Sequence, residues 1–369
     1  MIKIDGSHCE GGGQILRTAL ALSCITGEPF EIYDIRMGRE KPGLQPQHLT
    51  GVRAAQAISK ADVDEAKLGS QRLRFSPVVV TGSEYLFDVS EIKGSAGSAT
   101  LVLQAILPPL SMAKAGSRVT VKGGTHVEWS PTFHYMRDVL LPLLAKIGIK
   151  SSLDIEKWGW YPIGGGKVSL SVEPLKHLSP INIRERGRLK NLSGTSAVSN
   201  LPISIAERQR DHGNWLLKGA GLSVNMEIVD APSTGKGSFF FILAEFENIK
   251  VGFSALGARG KRAEGVAEEA VRQFLEFSNS EGALDPHLAD QIIPYLSICD
   301  APSTFTTSKV TRHLLTNAWI IEKFLPVEIT INGKEGQFGE VIIKRAGNRL
   351  LPAQSKTLFT TTALLNPLN

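Results

Sequence analysis

Cysteine is scarce in this chain. Its 369 residues hold only Cys9, Cys24 and Cys299. These form no CxxC pair and no even-numbered set, which argues against a disulfide framework and for a reducing, cytoplasmic setting. There is no HExxH and no Cys/His cluster at zinc spacing, so a structural zinc is not expected. Hydrophobic content of 42% is ample for cores in two or three domains. No apolar run reaches the length of a membrane span, and the opening MIKIDGSHCEGGGQ lacks the basic-then-apolar order of a signal peptide. Nor is there a Walker loop. GGGK (164–167) and STGKGS (233–238) both miss the first glycine and final Ser/Thr of GxxxxGK[ST], so any use of ATP proceeds without a P-loop.

Charge excludes little. The net +5 and pI near 9.0 suggest an anionic partner. Yet the last 36 residues carry five bases (Lys334, Lys344, Arg345, Arg349, Lys356) against two acids (Glu335, Glu340), leaving only +2 for the other 333. Local clusters are more informative. Arg36, Arg39, Lys41 and Arg53 surround Glu40, and Arg184, Arg186, Arg188 and Lys190 surround Glu185; each alone reads equally as a solvated face.

Three segments share one design: small or polar residues, then an apolar helix, a turn and a strand. They are residues 9–35, 94–124 and 310–333. Further helices are expected in QHLTGVRAAQAISK and FHYMRDVLLPLLAKIG, and half-buried strands in QRLRFSP and GGGKVSLSVEPL. The pattern predicts an α+β unit used three times, each with two helices on one face of a small sheet. From Arg184 to about Ser278 the texture changes to a hairpin followed by one amphipathic helix, KRAEGVAEEAVRQFLEFS. This reads as a smaller α/β domain inserted between the second and third units. The expected division is a core of 1–183 and 278–333, an insert of 184–277, and a C-terminal strand or tail of 334–369 whose role is not assigned.

Several fragments carry candidate chemistry. EGGGQILR (10–17) sets three glycines before a helix, freeing backbone N–H groups for an anion, with Glu10 and Arg17 at its ends. IRMGREKPGLQPQH (35–48) places Arg36 and Arg39 around Gly38, ahead of a Pro-Gly turn and Gln47; guanidinium forks match phosphate oxygens at two points. GSAGSATLVLQ (94–104) repeats the passage from small residues into a helix, with Gln104 in an apolar stretch. HLADQ (287–291) opens another helix. In TTSKVTRHLLTNAWIIEKFLP (306–326), Leu314, Ala318, Ile321 and Leu325 form the core stripe, and His313 lies beside it, just past a plausible N-cap at Thr311. From its own segment His313 reads as a satisfied core histidine or as a reactive imidazole on a rigid helix, and both readings stay open.

Together these fragments, with LGSQRLRF, GSAGSATLVLQAILPPL, LLAKIGI, YPIGGGKV and RHLLTN, resemble the RNA 3'-terminal phosphate cyclase family from about residue 2 to 331. The resemblance covers the insert less closely and does not extend past about 334. It implies a core of three βαβαββ-type units with an inserted α/β domain. The activity it implies is ATP-dependent conversion of an RNA 3'-phosphate to a 2',3'-cyclic phosphate through a covalent histidine–AMP.

Residue by residue, the resemblance makes His313 the nucleophile. It makes Gln104 with His287, Leu288, Ala289, Asp290 and Gln291 the ATP-binding set, and Arg17, Arg36, Arg39 and Gln47 the ligands of the RNA terminal phosphate. Glu10 becomes the residue that helps hold Mg²⁺ or Mn²⁺ on the ATP phosphates. A nucleophilic imidazole must be unprotonated, and a first-turn position is expected to lower its pKa through the helix dipole. Expected partners are ATP and 3'-phosphorylated RNA, without a membrane; monomer and homodimer both stay open. A non-catalytic ribosome-assembly relative of the same fold is the alternative, and it would lose the nucleophile that RHLLTN retains. A carboxyvinyl transferase of related architecture finds no support in that motif.

Overall fold

The computed structural model describes residues 1–92 and 94–346. Its first 76 residues run β1 (Ile2–Asp5), α1 (Gly13–Thr26), β2 (Phe30–Tyr33), α2 (Pro46–Ser59), β3 (Asp62–Asp64) and β4 (Leu73–Ser76). Strands lie in the order β1-β2-β4-β3, with β1 and β2 parallel and the remaining pairs antiparallel. The second unit repeats this. It runs β5 (Glu84–Asp88), α3 (Ala99–Ser111), β6 (Ser117–Gly123), a helical stretch of α4 (Phe133–Tyr135), a π turn (Met136–Leu140) and α5 (Leu141–Lys146), then β7 (Ser151–Lys157) and β8 (Gly166–Val172). Its sheet order, β5-β6-β8-β7, is the same. Buried and less buried residues alternate along β6 and β8, as in a sheet covered on one face.

The third unit opens with the short β9 (Asn182–Ile183) and is interrupted at once. The interruption is β10 (Leu189–Ser199), α6 (Ser204–Gly219), β11 (Asn225–Asp230), β12 (Gly237–Phe246), β13 (Lys250–Leu256) and α7 (Ala263–Ser278). These form a sheet of their own, β11-β10-β12-β13, against which the paired α6 and α7 pack. The unit then resumes with α8 (Pro286–Leu296), β14 (Ser303–Thr307), α9 (Arg312–Phe324), β15 (Val327–Gly333) and β16 (Gly339–Arg345), in the order β15-β16-β14-β9. The fold is α+β: three βαβαββ units and a smaller inserted α/β domain.

Two boundaries differ from the sequence reading. The insert sits inside the third unit, after its first strand, because β9 pairs in parallel with β14 at Asn182–Thr304 and Ile183–Phe305. A two-residue strand leaves too little pattern to be read. The break expected at 333 falls inside the third sheet, since β16 bonds to both β14 and β15; the rest of the expected tail, from 347 on, lies outside the described residues. Ile343 shows what β16 contributes. It is buried, and it pairs with Ser303 on one side and Ile329 on the other. Ile343→Ala should destabilise the protein by about 2–5 kcal/mol, read as a lower urea midpoint at unchanged slope.

Helix α1 joins the units. It is buried around most of its circumference and packs against α2, α3 and α9, which accounts for its nearly continuous apolar sequence. Gly27 ends it in the left-handed conformation, its N–H bonded to the Ser23 carbonyl. Helices α1 and α9 run side by side in the same direction. Gln14 Nε2 donates to the His313 carbonyl at 3.3 Å, and one turn on Thr18 Oγ1 donates to Asn317 Oδ1 at 2.7 Å. Both N-termini therefore reach the same place. Among the described residues no helix is long and apolar enough to cross a membrane.

Candidate active site

Thr311 caps α9, its hydroxyl accepting from the Leu314 N–H at 3.0 Å. That fixes the first turn and points His313 away from the buried stripe of Leu314, Ala318 and Ile321. The imidazole is 42% exposed, and its Nε2 lies 2.7 Å from Glu10 Oε2. The other oxygen of Glu10 is ion-paired to Arg39. The loop that brings Glu10 here is pinned to α9 by His8, whose ring stacks on Trp319 at 3.9 Å.

The three glycines have steric jobs. Gly11 takes a φ of +58°, a conformation that side chains disfavour. A Cβ on Gly12 would stand 3.1 Å from Arg39 Nη2, and one on Gly13 would overlap His48 Nε2 and reach Arg17 Nη1 at 3.3 Å. The glycines thus let three basic side chains lie over the start of α1. His48, which the sequence reading passed over, is buried, and its Nδ1 accepts from the Gln45 N–H at 3.1 Å. The neutral ring therefore carries its proton on Nε2, facing Gly13. Burial and then the charges of Arg36 and Arg17 push its pKa down to about 3. Its one sequence signal is a histidine at the third position of a helix that starts with proline.

Charges in the site are coupled. Burial lowers the Arg17 pKa to about 10 against the opposing pull of Asp290 and Glu10, so Arg17 stays charged at neutral pH. Asp290 is raised to about 6, chiefly by burial, although His313, His287 and Arg17 favour its anion. Glu10 is lowered to about 2, first by its hydrogen bond to His313. For His313, burial disfavours the imidazolium, but the Glu10 hydrogen bond and the charges of Asp290 and Glu10 outweigh it, so the pKa is raised. This corrects the expectation of a lowered value: the Glu10 contact and the charges of Asp290 and Glu10 outweigh burial and Arg17. Removing Glu10's charge should reverse the sign. In Glu10→Gln the His313 imidazole should titrate at lower pH than in the parent, as followed by NMR; an unchanged or higher midpoint would show that Glu10 is not what holds its proton.

The other expected site residues fall into two groups around this centre. Gln104 Nε2 donates to Gln291 Oε1 at 2.7 Å, joining α3 to α8. Asn317 Nδ2 donates to the Asp290 carbonyl at 2.8 Å, joining α8 to α9. Asp285 caps α8 by accepting from the N–H groups of His287 and Leu288, and takes the Tyr135 hydroxyl at 2.8 Å. Leu288 and Ala289 are fully buried, so any ligand contact there falls to backbone. On the other side Gln47 Oε1 accepts from the Ser98 N–H at 3.0 Å. Arg36 has a φ of +57° and donates through Nη1 to the carbonyls of Lys41 at 2.5 Å and Gly43 at 3.1 Å. Part of its guanidinium thus holds its own loop.

Among the described residues no three His, Cys, Asp or Glu side chains converge as a metal cage. Glu10 alone suits a magnesium ion that arrives with phosphates, since that ion commonly takes one or two protein carboxylates and completes its shell with phosphate and water. The acceptor Oε1 of Gln14 is buried without a protein partner. Amide and carboxylate oxygens thus stand beside the guanidinium groups of Arg17 and Arg39, the pairing of donors and acceptors that suits phosphate with a cation.

A family model described as RNA 3'-terminal phosphate cyclase matches residues 8–331. A protein of Trichormus variabilis named RNA 3'-terminal phosphate cyclase is 45% identical over 338 residues, covering 91% of this chain and 97% of its own. A protein of that name from Methylococcus capsulatus is 43% identical over 328 residues, covering 88% and 91%. Another from Methanopyrus kandleri is 40% identical over 354 residues, covering 94% and 99%. A match that spans all three units and the insert, and includes Glu10, Asp290 and His313, places the chain in the RNA 3'-terminal phosphate cyclase family.

Proposed function

We propose that this enzyme converts the 3'-terminal phosphate of an RNA to a 2',3'-cyclic phosphodiester at the expense of ATP, with His313 as the covalent carrier of AMP. The observation that carries the reading is the His313–Glu10 contact of 2.7 Å at the joined N-termini of α9 and α1, inside the family match. A terminal phosphate monoester cannot expel oxide when its own 2'-hydroxyl attacks. It needs a leaving group, and AMP in a mixed anhydride is one.

In the first step a nitrogen of His313 forms a bond to the α-phosphorus of ATP while the bond to pyrophosphate breaks. An imidazolium has no lone pair to give, so the raised pKa of His313 makes this step faster as pH rises through that value. Glu10, at about 2, is too weak a base to take the proton for long; its part is to aim the ring and, with magnesium or manganese present, to offer the ion its carboxylate. Such an ion neutralises phosphate charge. In the second step an RNA phosphate oxygen takes AMP from His313, restoring the imidazole. In the third the 2'-oxygen bonds to the same RNA phosphorus, AMP leaves, and the hydroxyl proton is lost. In this reading Gln104, His287, Asp290 and Gln291, with the backbone of Leu288 and Ala289, hold the nucleotide. Arg17, Arg36, Arg39 and Gln47 would hold the RNA phosphate.

Incubation with α-labelled ATP tests the reading. The protein should carry acid-labile label, and a 3'-phosphorylated oligonucleotide should discharge it and become resistant to phosphatase. A chain that binds RNA without ever carrying label would be the non-catalytic relative.

A further inference from the structure

The two glycine-lysine segments that fail as Walker loops, 164–167 and 233–238, lie far apart in sequence and together in space. A Cβ on Gly165 would overlap Thr234 Oγ1, and one on Gly235 would stand 3.5 Å from the Trp160 Cβ and 3.7 Å from the Ile163 Cβ. Trp158 N–H donates to the Pro232 carbonyl at 2.8 Å, and Asn200 Nδ2 braces the second loop through the Gly235 carbonyl at 2.8 Å. One loop belongs to the second unit and the other to the insert, so the pair forms a fixed corner between them.

This corner continues into the site. Gly164 has a φ of +70°, and a Cβ there would stand 3.1 Å from the Ala96 Cα. A Cβ on Gly97, next in that segment, would stand 2.8 Å from the Gln47 Cβ, and Ser98 N–H bonds to Gln47. On the same small-residue segment rests the loop 124–131. Gly124 lies against the Ala96 carbonyl and the Val127 methyls, and the Pro131 carbonyl accepts from Thr100 Oγ1 at 2.6 Å. At the crest of that loop stands Trp129.

Trp129 is 95% exposed at a φ of +61°, and Tyr161 is 78% exposed on the neighbouring turn. Tryptophan in a left-handed conformation is uncommon, and one that packs on nothing gains no stability from its ring. Lys236, on the second loop, makes no ion pair among the described residues. Exposed rings on two bonded loops and an unpaired cation on a third that packs on Trp160, leading out from the proposed phosphate ligand Gln47, are the parts of a single-strand track: bases stack on rings without regard to sequence, and the backbone follows the charge.

We propose that this corner is the track for the RNA strand upstream of its 3' end, with Trp129 and Tyr161 stacking bases and Lys236 meeting a backbone phosphate. The proposal rests on the reading above that the substrate is RNA. Such a track would hold a 3' end without reading its sequence.

The test uses the full chain with two RNAs, a decamer and a dinucleotide, each with a 3'-phosphate. Direct decamer binding by fluorescence anisotropy does not depend on turnover. The double variant Trp129→Ala/Tyr161→Ala, and separately Lys236→Glu, should weaken decamer binding by at least about fivefold and raise its KM likewise, since each lost stack is worth about that or more. Adenylation and the kcat/KM for the dinucleotide should stay within about twofold. Decamer binding as tight as in the parent in both variants would overturn the track, as would equal losses for dinucleotide and decamer or a loss of adenylation, which would assign the rings to the reacting end or to ATP. A parent protein that binds the decamer in a ring-dependent way but never cyclises it would sink the cyclase reading and leave the track standing.

Discussion

His313→Ala should abolish the covalent AMP adduct. With α-labelled ATP the variant should carry no acid-labile label, and cyclisation should fall on the order of 10⁴-fold or more, the scale of losing a nucleophile. The fold should survive. The ring is 42% exposed and off the buried stripe, alanine is the best helix former, and the cap at Thr311 is untouched. Circular dichroism and the urea midpoint check this. One secondary effect has a defined sign: Glu10 loses the hydrogen bond that does most to lower its pKa, so its carboxyl should titrate higher than about 2. Labelled variant protein would remove His313 from the nucleophile's place. The raised pKa adds a pH signature in the parent: labelling should rise with pH until His313 is neutral, and Glu10→Gln should move that limb to lower pH.

Much of this site was legible because its parts are local. Three glycines before a helix, an N-cap two residues before His313, and a Pro-Gly turn between Arg39 and Gln47 are short-range signals, and each formed where the sequence placed it. The three-unit architecture was readable for the same reason, since helix and strand periods recur in one order. What the sequence could not carry is distance across the chain. Gln14 and Thr18 meet α9 at His313 and Asn317, each pair 299 positions apart. Nothing in either segment announces the other. The sign of the His313 shift was lost for that reason: the dipole is a property of its own helix, whereas the carboxylate that raises the pKa arrives on a loop from the other end of the chain. Arg36 was half legible. A guanidinium near a glycine turn was visible, but its use in holding that turn depends on a left-handed backbone at Arg36 itself. Trp129 is the opposite case, an ordinary residue in the sequence whose exposure makes it notable.

Replacing Arg36 and Arg39 together by alanine should spare adenylation of His313 and block the transfer of AMP to RNA. Arg39 lies over Gly12 and Arg36 on the loop carbonyls of Lys41 and Gly43, and neither bonds to Gln104 or Gln291, the pair proposed for the nucleotide. Each charge-assisted contact to phosphate is worth about 1.5–3 kcal/mol. Losing two should slow transfer a hundredfold or more, and adenylated enzyme should accumulate when 3'-phosphorylated RNA is added. Some effect on adenylation is expected through Glu10, whose second oxygen Arg39 holds. Arg39's hydrogen bond and charge act on that carboxyl less than the His313 hydrogen bond does, so the effect should stay below about tenfold. Lysine at both positions should rescue only in part. At 39 it returns a charge without the fork, and at 36 it must also replace the bonds to Lys41 and Gly43 that hold the loop. Arg36→Lys should therefore transfer more slowly than Arg39→Lys, a ranking that follows from the loop contacts and not from charge. Rapid-quench transfer of labelled AMP from pre-adenylated enzyme separates the steps. A double variant that cannot be adenylated would place the two arginines on ATP and move the RNA end elsewhere in the cleft.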